Sequence, residues 1–150
     1  MMKNVSDYRA EMLTILGDPA GRRYREAELD LALRQALQTL GDCRPYPDPD
    51  RDNACPWPDE RGFRIGGLDG AAQTTVPDSL MLTVCTGAAG YAMLIRARAV
   101  TEVFGKRPED REALTAQGES LIRDFLSELL AAAREAYLRS DPWPGKGFPI

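Results

Sequence analysis

Apolar residues recur at helical spacing in four stretches of this chain. Tyr8, Met12, Ile15 and Leu16 predict a first helix over about 7–16, with Ser6 as N-cap and Gly17-Asp18-Pro19 as its stop. Leu29, Leu33, Ala36, Leu37 and Leu40 form an i, i+4, i+7, i+8, i+11 stripe that predicts a second helix over about 26–40. Glu26, Glu28 and Asp30 fall in or near its first turn, where the helix dipole favours anions, and Gly41 is the expected stop. The two helices are expected to pack as a short hairpin. The loop between them carries Arg22, Arg23, Tyr24 and Arg25.

A third helix is expected from Pro77-Asp78 to about Phe104. Up to Ile95 it is apolar or small nearly all round, so several neighbours should surround it. Gly87, Ala88, Ala89, Gly90 and Ala92 would let another helix approach closely. The uncharged run Ser79–Ile95 has 17 residues, the lower limit of a membrane span, but contains Thr83, Thr86, Gly87 and Gly90. A buried central helix, with no membrane, is the expectation. Beyond Ile95, Arg96, Arg98 and Glu102 make the helix amphipathic. After a turn at Gly105–Pro108, a fourth helix is expected over about 109–139. Its stripe is Leu114, Leu121, Ile122, Phe125, Leu126, Leu129, Leu130, Ala133 and Tyr137. At 1.5 Å per residue the last two helices would be roughly 40 and 45 Å long. Part of each should project beyond the core or pack on another subunit.

Two segments break the helical pattern. Pro45, Pro47, Pro49, Pro56 and Pro58 lie within 41–76, where no helix can continue. So long a loop rarely lacks structure, and Phe63-Arg64-Ile65 alternates while Thr74-Thr75-Val76 is β-prone. A small β-hairpin is expected there. The segment 141–150, Asp-Pro-Trp-Pro-Gly-Lys-Gly-Phe-Pro-Ile, cannot be helical either. The fold class is therefore mainly α: a bundle of about four helices, two of them long and antiparallel, plus a β-hairpin between helices two and three. The chain divides into a helical domain, 1–140, and an extended C-terminal arm, 141–150.

Composition narrows the chemistry. A chain of 150 residues suits one domain. It contains no His, which excludes Ser-His-Asp and Cys-His catalytic units and His-ligated metal. The net charge of −4 argues against a protein that wraps nucleic-acid phosphates. Of the 19 cations only three are Lys; Arg forms forked bonds to carboxylates and stacks on rings, which suits protein interfaces, although a genome-composition bias would produce the same excess. Cys43, Cys55 and Cys85 are an odd number with no CxxC pair, and no signal-peptide pattern precedes the first helix. A reduced, intracellular site of synthesis is expected, with a Cys43–Cys55 pairing across the Pro-rich segment as the less favoured alternative.

Candidate catalytic and ligand motifs are weak. Gly66-Gly67-Leu68-Asp69-Gly70 lacks the Lys-Ser/Thr ending of a phosphate loop and reads as turn chemistry. Asp48, Asp50, Asp52 and Asn53 lack the Gly and closing Glu of a calcium loop. Cys85 reads as a core residue. No metal site and no cofactor are expected. Arg96 and Arg98 have three readings, an anionic substrate, a neighbouring subunit or water, the substrate being the least favoured. Trp143 and Phe148 on a Pro/Gly scaffold are good anchors for a partner groove, unless the arm folds back on its own helices.

The order of these elements resembles the head–tail adaptor (connector) proteins of tailed bacteriophages and prophages. The resemblance rests on the short helix ending in Leu-Gly-Asp and on Tyr-Arg-Glu-Ala-Glu-Leu-Asp-Leu-Ala-Leu-Arg-Gln-Ala-Leu. It continues through the Pro-Asp-Ser-Leu entry, Gly-Ala-Ala-Gly-Tyr-Ala-Met-Leu-Ile-Arg-Ala-Arg-Ala and the long final helix. Residues 16–40 and 77–99 carry most of it; 43–62 fits least. The resemblance implies a non-enzymatic virion protein, made in the bacterial host cytoplasm and located in the neck. It would form a ring, commonly twelve-fold, beneath the portal protein, extending the DNA channel without binding DNA specifically and offering a surface to the next neck or tail protein. The arm residues Pro142, Trp143, Pro144, Phe148 and Ile150 would grip the portal. Arg96, Arg98, Phe63, Arg64 and Ile65 would be subunit-interface candidates. Competing expectations are a small helical enzyme holding an anionic metabolite through Arg96, Arg98 and Arg123, a nucleic-acid packaging or regulatory protein, and another neck part such as a stopper or tail-completion protein.

Overall fold

A computed structural model of the chain describes residues 3–42, 63–102 and 108–139. The described part is mainly helical, with four α-helices: α1 (Val5–Ile15), α2 (Glu26–Asp42), α3 (Met81–Glu102) and α4 (Pro108–Arg139). A single 3-10 turn, Asp78–Leu80, leads into α3. The Pro-rich stretch 43–62 and the arm 141–150 lie outside the described residues, as does any Cys43–Cys55 pairing.

Helix α1 begins two residues earlier than the apolar pattern suggests, because Asn4 and not Ser6 caps it. The Asn4 side chain accepts from the Asp7 N–H at 3.2 Å, and the Asp7 carboxylate accepts from the Asn4 N–H at 2.9 Å. This reciprocal box satisfies two donors that a helix start leaves open. At the other end Gly17 adopts φ +68°. Its N–H reaches Thr14 O at 3.1 Å, while the Asp18 N–H reaches Leu13 O at 2.8 Å. That pair of bonds closes the helix as a Schellman motif.

Four of the five residues of the predicted α2 stripe, Leu29, Leu33, Ala36 and Leu40, are inaccessible or nearly so, Ala32 joins them, and Leu37 is half-buried. Gly41 does not stop the helix, which runs one residue further. Two Arg–carboxylate pairs fasten α2 to its surroundings. Arg9 of α1 forks onto Asp30 with two bonds of 2.8 Å and reaches Glu26 at 3.0 Å. Arg34 forks onto Asp69 in the following loop, with contacts of 2.8 and 2.9 Å.

Helix α3 is the hub: α1, α2 and α4 all pack on it. Residues 78–99 are long and apolar enough to cross a membrane, with a mean hydropathy of 1.4, yet 56% of the span's most apolar window is buried inside this chain. Val84, Cys85, Ala88, Ala89 and Ala92 face the core and are fully buried. Toward α4 the surface is made of Gly87 and Gly90. A Cβ on Gly87 would sit 2.3 Å from the Phe125 ring, and one on Gly90 would sit 2.8 Å from the Gly118 carbonyl. As the α3 numbers fall the facing α4 numbers rise, so the two helices are antiparallel. The Phe125 ring meets Tyr91 edge to face, centroids 6.4 Å apart. At 32 residues against 22, α4 is about 15 Å longer than α3.

The expected β-hairpin between α2 and α3 is not formed: the described residues 63–76 contain no strand. The two sides approach once through backbone, Thr75 N–H to Arg64 O at 2.8 Å. The donors that would extend a ladder bond to side chains instead. Arg64 N–H goes to the Thr75 hydroxyl and Gly66 N–H to the Thr74 hydroxyl. Hydroxyls close to their own backbone compete with sheet pairing in this way. The Gly66 carbonyl accepts from Val5 N–H, tying the loop to the start of α1. Left-handed φ values at Gly67, Asp69 and Gly70 complete the bend.

Candidate functional site

The described residues offer two places where polar side chains are organised toward the surface. One is the α1–α2 loop. The other is a groove between α2 and α3.

The loop is built around one carboxylate. Asp18 is 6% exposed, and its oxygens accept from the N–H groups of Arg22 at 3.1 Å, Arg23 at 2.9 Å and Tyr24 at 3.1 Å. The bond from Arg23 does most to hold this carboxyl below its ordinary value. Gly21, at φ +67°, turns the chain so that these donors converge. The Arg23 guanidinium swings back to the Gly17 carbonyl at 3.2 Å. From α3, Arg96 donates to the Arg23 carbonyl at 2.5 Å and lies 5.3 Å from the centre of the Tyr24 ring. Tyr24 is buried, and that burial raises its phenol.

The groove has a volume of about 340 Å³ and is open at the side. Gln35, Gln38, Thr39 and Asp42 line one wall, and Tyr91, Leu94, Ile95 and Arg98 line the other. The Thr39 and Tyr91 hydroxyls join the walls at 2.9 Å.

The predicted site residues are thereby dispersed. Arg96 is half-buried and serves the α1–α2 loop, whereas Arg98, two residues on, is exposed and lines the groove. Arg123 is exposed on α4 and is not part of the groove lining. The groove thus holds Arg98 but neither Arg96 nor Arg123. Phe63 and Ile65, 7% and 1% exposed, are members of this chain's own core, with Arg64 exposed between them. Their alternation reflects burial against helices. The arm residues Pro142, Trp143, Pro144, Phe148 and Ile150 lie outside the described residues.

Sequence reasoning overlooked Asp18 as an organising group and treated it as part of a helix stop. A signal was available: an Asp directly after a terminating Gly, at the start of a turn whose backbone N–H groups need an acceptor. It also overlooked the Leu126–Leu130 pair as a surface. Both are exposed on α4, Leu130 by 64%, one turn apart and one turn beyond half-buried Ile122.

Reactive groups are muted. Burial, with a smaller contribution from Glu11, pushes the Cys85 thiol up to about 12. Burial likewise raises the Tyr8 phenol. Among the described residues no three of Cys, Asp or Glu gather in a group that could hold a metal ion. No protein-family profile matches this chain, and no curated protein or solved structure is significantly similar to it.

Proposed function

We propose that this chain is a head–tail adaptor of a tailed phage or prophage, a structural subunit that forms a ring under the portal protein and joins head to tail. The observation that carries the reading is the position of α4. It is the longest helix, it packs on α3, and its other sides carry Leu126 and Leu130 together with alternating charges. A helix with so much apolar and polar surface left over suits a subunit that completes itself against neighbours.

In this reading α3 and α4 are the rigid spine of each subunit. Arg64 and Arg98, both exposed, are the interface candidates that remain on the surface. The arm 141–150 grips the portal through Trp143 and Phe148. The net charge of −4 supports a conduit along which DNA slides without sticking. The subunit has no catalytic role and needs no cofactor.

The test is cryo-electron microscopy of a phage neck containing this protein, with solution mass of the isolated chain beside it. A closed ring of this chain against the portal is the expected result. A monomer that ignores the portal and converts an anionic metabolite would overturn the reading.

A further inference from the structure

The braced loop between α1 and α2 has a chemistry that the ring reading does not use. Within four positions it carries Arg22, Arg23 and Arg25, all exposed. Arg23 is partly engaged with the Gly17 carbonyl. Arg22 and Arg25 are not: among the described residues neither side chain has a hydrogen bond or ion pair, and three nearby carboxylates are directed elsewhere. Asp18 is turned inward onto backbone N–H groups, and Glu26 and Asp30 are held by Arg9.

The backbone that presents these cations is fixed before any partner arrives. Three N–H groups converge on Asp18, the Gly21 N–H closes a turn on the Asp18 carbonyl at 2.9 Å, and Arg96 holds the Arg23 carbonyl from α3. A loop held this way loses little conformational freedom on docking.

We infer that the 19–25 loop is a preformed docking surface for an acidic protein segment, with Arg22 and Arg25 donating forked hydrogen bonds to its carboxylates. The surroundings favour carboxylates over a nucleic-acid backbone. Glu26 directly follows Arg25, is 71% exposed, and is joined by Glu28 on the same turn of α2. A protein segment places its charges discretely and can avoid these groups. A phosphate chain carries a charge at every step and would be forced against them. Guanidinium forks bind carboxylates and phosphates alike, so the preference rests on the flanking carboxylates, while a Lys ammonium in place of Arg would keep the charge and lose the fork.

Fluorescence anisotropy of the full chain with a labelled peptide that carries three Glu spaced among Gly and Ser residues tests this, with a short DNA duplex in parallel, at about 50 mM and about 200 mM salt. The peptide should bind more weakly at the higher salt. The Arg22→Ala/Arg25→Ala variant should lose roughly tenfold in affinity with an unchanged helical circular-dichroism spectrum, as two lost surface charge pairs imply. Arg22→Lys/Arg25→Lys should recover only part of it. Arg111→Ala/Arg123→Ala, which removes the same charge from α4, should bind like the wild type. Absence of peptide binding overturns the inference, as does equal loss in the α4 variant, or a duplex that binds more tightly than the peptide and is released by the same loop substitutions. None of these outcomes bears on ring formation, which solution mass reads separately.

Discussion

Gly90 of α3 and Gly118 of α4 meet backbone to backbone. A Cβ on either would lie 2.8 or 2.9 Å from the other's carbonyl oxygen. Neither carbonyl is the end of a flexible side chain, so the contact cannot relax without moving a helix. Gly90→Ala or Gly118→Ala gains about 1 kcal/mol of helix propensity. The overpacking opposes this with about 1–3 kcal/mol, and the net expected is destabilisation. Urea unfolding should show a lower midpoint for each. Gly41→Ala is the control, since nothing lies within 4 Å of that position and it is helical. It should be neutral or stabilising by up to about 1 kcal/mol.

The Arg9–Asp30 fork joins α1 to α2 with both side chains about four-fifths covered. Asp30→Ala should cost about 2 kcal/mol, because it leaves a largely covered guanidinium with one weaker partner. Glu26→Ala should cost under about 0.5 kcal/mol, since that carboxylate is mostly in water. A double-mutant cycle on Arg9 with each partner separates the two contributions.

Asp18 makes stability pH-dependent in a defined direction. Its carboxyl lies below the ordinary value of 3.8 when folded. Its charged form therefore stabilises the fold fully above that ordinary value, and the contribution is lost as pH falls through the lowered folded value. Asp18→Asn should unfold several degrees lower than the wild type at neutral pH. The difference should shrink toward zero in strong acid, as followed by thermal melts across the acid range.

Cys85 is covered by the core, with its thiol beside the Tyr8 carbonyl at 3.8 Å. With the thiol raised to about 12, it should stay unlabelled by maleimide at pH near 8 in the folded chain and react on unfolding. Peptide mapping of the labelled sites checks this.

Removing 141–150 should leave a folded, helical protein that no longer binds the portal. Co-sedimentation with portal rings measures it. Portal binding by the truncated chain at the full-length level would remove the arm from the proposed function.

Helix placement was largely legible because it depends on local periodicity. The Leu29–Leu40 stripe marks the buried face of α2, and the small-residue run Gly87–Ala92 announced a close helix neighbour. The Asn4–Asp7 box is equally local and was missed beside the more familiar Ser6. The hairpin was misjudged for a physical reason. Phe63 and Ile65 alternate as a strand would, but they are buried by α-helical neighbours, and Thr74 and Thr75 take up the donors a ladder needs.

The sequence by itself determined four helices, a central apolar one among them, and a chain without imidazole chemistry. Those are properties of neighbours three or four residues apart and of composition. Only the tertiary structure decided that Gly118 is the partner of Gly90, and that Asp18 gathers three N–H groups. It also decided that Arg96 turns to Tyr24 while Arg98 opens onto a groove. Each of these pairs groups whose meeting depends on how whole helices cross, which no local pattern in the chain records.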